Sequence, residues 1–153
     1  MKLTKEFLAQ YDNILPPFGP VGEVTYKRTY ARKLDADDSV KEHWGETQAR
    51  VVNSLQELSN YTMTMEEMEE MYDHNYMLRS TISGRGLWQL GTETVQELGG
   101  ASLNACWHVP MDSLTSFTFI FDMMMLGGGV GLNIQREYVY QLPKLKTEPP
   151  KVV

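Results

Sequence analysis

The sequence holds one cysteine, Cys106, within GGASLNACWHVPMDS (99–113), and a glycine cluster, GGGVG (127–131), downstream of it. A thiol can serve as a nucleophile, a redox group or simply a small buried hydrophobe. His108 follows at i+2, so on a strand both side chains would share one face, as a Cys–His nucleophile pair requires. His43 and His74 lie far off in sequence, and the three histidines with one cysteine have no zinc spacing. GGGVG lacks the GxxxxGK[ST] pattern of a phosphate loop, and it follows a helix-like run, which excludes the dinucleotide fingerprint. A helix cap accounts for Gly127. Gly128, Gly129 and Gly131 together imply that some group lies where a β-carbon would stand. EEMEE (66–70) could offer paired carboxylates for acid–base chemistry, but an acidic first turn matched to the helix dipole explains it more simply.

These residues need elements to hold them. At 153 residues and 42% hydrophobic content the chain is expected to be globular with a real core. Its formal charge of −6 argues against gripping nucleic acid or an anionic membrane. There is no membrane-length apolar run and no signal-peptide core, so a reducing cytoplasm is expected. The ten methionines fall at helical spacings and read as core.

Residues 4–11 read as a short helix, and NILPPFGPVGE (13–23) reads as a breaking connector. TYKRTYAR (25–32) is open between a strand and a helix end. Ser39 with Glu42 has capping-box spacing and predicts a helix of roughly 20 residues with Trp44, Val51, Leu55 and Leu58 on one face. Thr64 with Glu67 predicts a second, with Met65, Met68, Tyr72 and Tyr76 aligned. STISGRG (80–86) interrupts, and LWQLGTETVQELGG reads as irregular. ASLNACWHV (101–109) reads as a strand ended by Pro110, with Asp112 or Ser113 capping the next helix. That helix, 114–126, is apolar nearly all round and is expected to be buried on most sides. VGLNI (130–134) completes a βαβ unit with parallel strands and a right-handed crossover.

Three blocks in order, SGRGLWQLGTE (83–93), GGASLNACWHV (99–109) and FIFDMMMLGGGVGLNI (119–134), resemble the start of a ribonucleotide reductase catalytic chain of the adenosylcobalamin-dependent (class II) ribonucleoside-triphosphate type. YKRTYAR (26–32) and HWGETQARVV (43–52) extend the resemblance, which covers roughly residues 16–143. It implies an α+β to α/β fold: an N-terminal helical region followed by the first βαβ of a ten-stranded barrel. The expected divisions are a helix and connector over 1–24, a helical region over 25–98, the barrel start over 99–143 and an extended tail over 144–153.

In that family a radical derived from adenosylcobalamin passes to a finger-loop cysteine, whose thiyl abstracts the ribose 3′ hydrogen. Two further cysteines supply electrons as the 2′ hydroxyl leaves. The place of Cys106 in LNACW matches the first of these two. Ser80, Thr81, Ala105, Gly128 and Gly129 match positions where backbone lies against the substrate; Ala105 stands where other members often carry Ser or Asn. The implied partners are a ribonucleotide, a dithiol reductant such as thioredoxin, and a complementing chain or the remainder of the barrel. The finger loop, the second redox cysteine and the C-terminal cysteine pair would all lie beyond residue 153, and nothing in the segment is a recognisable cobalamin site. The sequence is therefore expected to be an N-terminal component, split-chain or fragment, that is inactive alone. The competing reading is a non-catalytic helical interaction module whose lone cysteine is structural.

Overall fold

The computed structural model describes residues 1–35, 37 and 39–144; the tail expected over 144–153 lies outside these, Lys144 excepted. The chain forms two compact units, 1–99 and 100–153.

The first unit is helical. Helix α1 (Lys5–Leu8) is capped by Thr4, whose side chain accepts from Phe7 N, and runs into a 3-10 turn, Ala9–Tyr11. Helix α2 spans Gly19–Thr29, α3 Trp44–Leu58 and α4 Met65–Tyr76. Two shorter helices follow, α5 (Gly84–Gln89) and α6 (Glu93–Leu98). α3 packs on α4, burying Val51, Val52, Met68, Tyr72 and Tyr76. Trp44 Nε1 donates to Tyr76 O at 3.0 Å. A β-carbon on Gly45 would stand 2.9 Å from Tyr72 Oη, so a bare backbone there permits the close approach. The α3–α4 turn is spanned by the Gln56 amide, which donates to Met63 O at 2.8 Å and accepts from Met63 N at 3.0 Å.

The Thr64–Glu67 capping box is present: Glu67 Oε2 accepts from Thr64 N at 2.7 Å, and Thr64 Oγ1 accepts from Glu67 N at 3.2 Å. The Ser39–Glu42 box is not. Ser39 turns back to Asp35, and Glu42 is taken by Arg50 and Thr47. The helix starts later, with Glu46 Oε2 accepting from His43 N at 2.7 Å. Leu58, expected on its apolar face, is exposed. The 13–23 stretch does not break throughout. α2 begins at Gly19, because a proline in the first helical turn removes only an N–H that has no intrahelical partner. Thr25–Thr29 of TYKRTYAR end that helix, Tyr30 caps it and Ala31 and Arg32 lie beyond it, and the stretch expected to be irregular contains α5 and α6.

The second unit is a small βαβ. After a 3-10 turn at Gly100–Leu103 come β1 (Cys106–Pro110), α7 (Leu114–Met125) and β2 (Gly129–Asn133), with the short α8 (Arg136–Val139) last. The strands pair in parallel, Cys106 opposite Gly129 through Pro110 opposite Asn133. Ser113 stands at the N-cap of α7, and Ser116 Oγ donates to Pro110 O at 2.8 Å. Gly127 ends α7 at φ +78°, as a left-handed cap does. The expected burial of α7 fails: of its residues only Ser116 is buried, while Leu114, Phe117, Phe121, Met124 and Met125 are exposed. Two strands cover one face of a helix, not its whole circumference. The methionine expectation holds only in part, since Met68 and Met111 are buried but Met1, Met124 and Met125 are exposed. No helix among the described residues is long and apolar enough to cross a membrane.

Candidate functional site

Cys106 opens β1, and its thiol is free and exposed. The reading of a buried, structural cysteine therefore fails. Trp107 is half-buried, and exposed Cys106 and His108 flank it, as strand alternation requires. At the Cys106 end of the ladder Gly129 N donates to Ala105 O at 2.9 Å, and Gly128 N donates to Met123 O at 2.9 Å. Ala105, Cys106, Gly128 and Gly129 thus meet at one end of the two-stranded sheet.

The two central glycines differ. A β-carbon on Gly128 would stand 2.7 Å from Trp107 Cδ1 and 2.8 Å from its Nε1, so the group pressed against Gly128 is the indole of this chain itself. That ring is held by Phe119 in an edge contact at 6.0 Å. At Gly129 the nearest atom to such a carbon is Ala105 O, 3.9 Å away. The space beside Gly129 is open. Sequence reasoning missed Trp107 as the partner of the cluster; a large ring one residue from the cysteine, on the strand paired with the glycines, was the available signal.

Ser80 and Thr81 belong to the first unit, between α4 and α5. Ser80 Oγ donates to Asn75 Oδ1 at 2.8 Å, and Thr81 is exposed, with its hydroxyl donating to Ile82 O at 3.0 Å. The α5 segment that follows is fixed by an ion pair. Glu42 is 5% exposed and receives Arg50 Nε at 2.7 Å, Thr47 Oγ1 at 2.8 Å and Arg32 N at 3.3 Å. Burial alone would raise the Glu42 carboxyl, but the hydrogen bonds from Arg50 and Thr47 outweigh it and hold the group below its ordinary value. No local pattern in the sequence announces this pair, because the spacing of Ser39 and Glu42 fits a local cap. In EEMEE, Glu66, Glu67 and Glu70 are exposed and Glu69 is half-buried, with Glu67 used in the cap, whereas Met68 between them is buried in the core.

The first unit also contains a cavity of about 920 Å³ lined by Tyr11, Phe18, Tyr26, Trp44, Tyr72 and Tyr76 among others. Most of the rings contact one another edge-on or tilted, Phe18 on Trp44 at 5.3 Å and Tyr11 on Tyr76 at 4.8 Å, while Tyr72 stacks on Tyr76 at 5.7 Å. Burial pushes the Tyr26 hydroxyl up to about 12. Among the described residues no group of three His, Cys, Asp or Glu could hold a metal ion.

A model of the ribonucleotide reductase alpha domain matches residues 3–92. The chain belongs to that family. Adenosylcobalamin-dependent ribonucleoside-triphosphate reductases of Lactobacillus gasseri and Levilactobacillus brevis are 36% and 37% identical to it, each over 94% of this chain and 23% of the relative. The crystal structure of a B12-dependent (class II) ribonucleotide reductase matches with a TM-score of 0.81 at 35% identity, over 94% of this chain and 24% of that one. The chain thus spans about a quarter of the length of the relatives it matches. Its helical region and parallel strand pair match the N-terminal part of the class II structure.

Proposed function

We propose that the chain is the N-terminal part of an enzyme that reduces ribonucleotides to deoxyribonucleotides by thiyl-radical chemistry, inactive without the rest of the barrel. The observation that carries this reading is an exposed thiol at the first position of β1, opposite a glycine with open space beside it. A strand end holds a thiol more rigidly than a loop, and a bare backbone leaves room for a nucleotide. Ala105, Gly128 and Gly129 are the backbone wall in this reading, with Gly128 also serving Trp107. Ser80 and Thr81 are assigned to the substrate on the family resemblance.

In the complete enzyme a thiyl radical on a cysteine of the remaining chain takes the ribose 3′ hydrogen, and the same cysteine returns it to the 3′ carbon at the end of the cycle, which regenerates the thiyl radical. Cys106 and a second thiol then lose their hydrogens and join as a disulfide. Their two electrons and two protons reduce the 2′ carbon and release its hydroxyl as water. A dithiol reductant such as thioredoxin reopens the disulfide by exchange, which needs a reachable sulfur. The reaction is assigned to the cytoplasm, where thiols are kept reduced.

Adenosylcobalamin is assigned to the complete enzyme, where it supplies the initiating radical. The residues described here do not fit a corrinoid: the cavity is walled by mutually packed rings, and no metal-holding group is present among them.

The test is Cys106→Ser in the complete enzyme. A hydroxyl cannot form a disulfide, so deoxynucleotide produced over many cycles with a dithiol reductant is expected to fall at least 100-fold while the protein stays folded. Wild-type yield over many cycles would overturn the redox role of Cys106.

A further inference from the structure

The guanidinium of Arg50, on α3, is committed on two sides. Nε and Nη2 donate to the two carboxylate oxygens of Glu42 at 2.7 and 2.9 Å. Nη2 also donates to Leu87 O at 2.9 Å, and Nη1 donates to Leu90 O. Leu87 is in the last turn of α5 and Leu90 is its C-cap, where carbonyls have no partner within the helix. Arg50 is therefore a cap supplied to α5 by another helix. The next residue, Gly91, makes room for it: at φ +75° it carries no β-carbon, which would stand 2.6 Å from Arg50 Cγ.

α5 is six residues long, and at its other end Ser83 Oγ accepts from Gly86 N at 3.3 Å. Just before that cap stand Ser80 and Thr81. Ser80 is tied back toward α4, its hydroxyl to Asn75 and its N–H to His74 O at 3.2 Å. The segment 80–83 is thus strung between the end of α4 and the start of α5, and it moves if α5 moves.

We propose that Arg50 is a positioning residue for the substrate segment Ser80–Thr81, acting through α5. The inference rests on the assignment of those two residues to the nucleotide. A buried ion pair adds little stability over apolar packing of the same volume, and here its geometry fixes a place. Lysine cannot replace it, because one ammonium cannot fork between a carboxylate and two carbonyls.

The test compares Arg50→Lys with the unaltered complete reductase. KM for the ribonucleotide is expected to rise about tenfold with kcat within about twofold, the signature of lost binding rather than lost chemistry. Amide hydrogen exchange over residues 80–90 should quicken, while Val51, Val52 and Met68 keep their rates. An unchanged KM, or a loss of activity that only follows the fraction of protein unfolded, overturns the proposal. Where Arg50→Lys does not fold, Glu42→Gln, which keeps the shape and removes the anchoring charge, carries the same expectations. Cys106→Ser run alongside separates the two ideas. If it is inactive over many cycles while Arg50→Lys keeps a normal KM, only the positioning role fails. If it turns over normally, the redox role of Cys106 fails while the positioning role still stands on KM, and unchanged exchange over 80–90 overturns the clamp by itself.

Discussion

Helices α3 and α7 use apolar residues in opposite ways. α3, WGETQARVVNSLQEL, buries Trp44, Thr47, Gln48, Val51, Val52, Ser54 and Gln56, more polar residues than apolar ones. α7, LTSFTFIFDMMM, is far more apolar, yet it buries only Ser116. Burial follows the partners within reach, not the hydrophobicity of the element. α3 has α4 against it and α5 beside it. α7 has two strands, and a parallel sheet is stable when both its faces and its edges are covered. Of the described apolar core residues, all but Met111 lie in the first unit. Residues 1–99 close a core of their own; residues 100–144 present surfaces that the proposed barrel would cover.

The largest expected effect lies in the closed unit. Met68 is fully buried, and truncation leaves a cavity that a packed α3–α4 interface cannot refill. Met68→Ala is expected to cost about 3 kcal/mol, read from urea unfolding followed by Trp44 fluorescence. A loss below about 1 kcal/mol would mean that this core is as loosely packed as the α7 face, and the contrast would break.

A smaller effect sharpens the comparison through pH. The folded Glu42 carboxyl lies below the ordinary value of 4.5, so the unfolded chain takes up the proton more readily. The stability it contributes is present above about pH 4.5 and is lost as pH falls through the lower, folded value. Glu42→Gln is expected to be about 2 kcal/mol less stable than the parent at pH 6, the scale of hydrogen bonds to a charged group. Its stability should also change less between pH 5 and 3. Parallel curves for parent and variant over that range would show that Glu42 carries no linked proton.

The same residue shows what the sequence could and could not reveal. The Thr64–Glu67 cap was legible because both partners act within one turn. The identical spacing at Ser39 and Glu42 misled, because a tertiary partner, Arg50, claimed the carboxylate. No local pattern announces a guanidinium that also reaches carbonyls at Leu87 and Leu90. The βαβ unit was legible from its strand, helix and glycine cap, each a local signal. Burial of α7 was not, since it depends on what surrounds the helix. The glycine cluster correctly signalled close approach, but only coordinates distinguish Gly128, filled by Trp107, from Gly129, beside open space.

The smallest effect is the most discriminating. Phe119 and Phe121 are two positions apart in sequence on α7 but face different surroundings. Phe119 holds Trp107 edge-on at 6.0 Å, whereas Phe121 is 65% exposed. In this chain Phe121→Ser removes surface that water already reaches, so stability should shift by no more than about 0.5 kcal/mol. Phe119→Ser removes a ring contact and half-buried area, and about 2 kcal/mol is expected. Urea unfolding of the two variants, followed by Trp107 fluorescence with Trp44 and Trp88 replaced by phenylalanine, gives both numbers. Equal losses would mean that α7 is already covered on its outer face, and the second unit would need no further partner. A near-zero loss for Phe121→Ser would leave that ring as surface held for contact, and the cost of its removal should then appear only when the rest of the barrel is present.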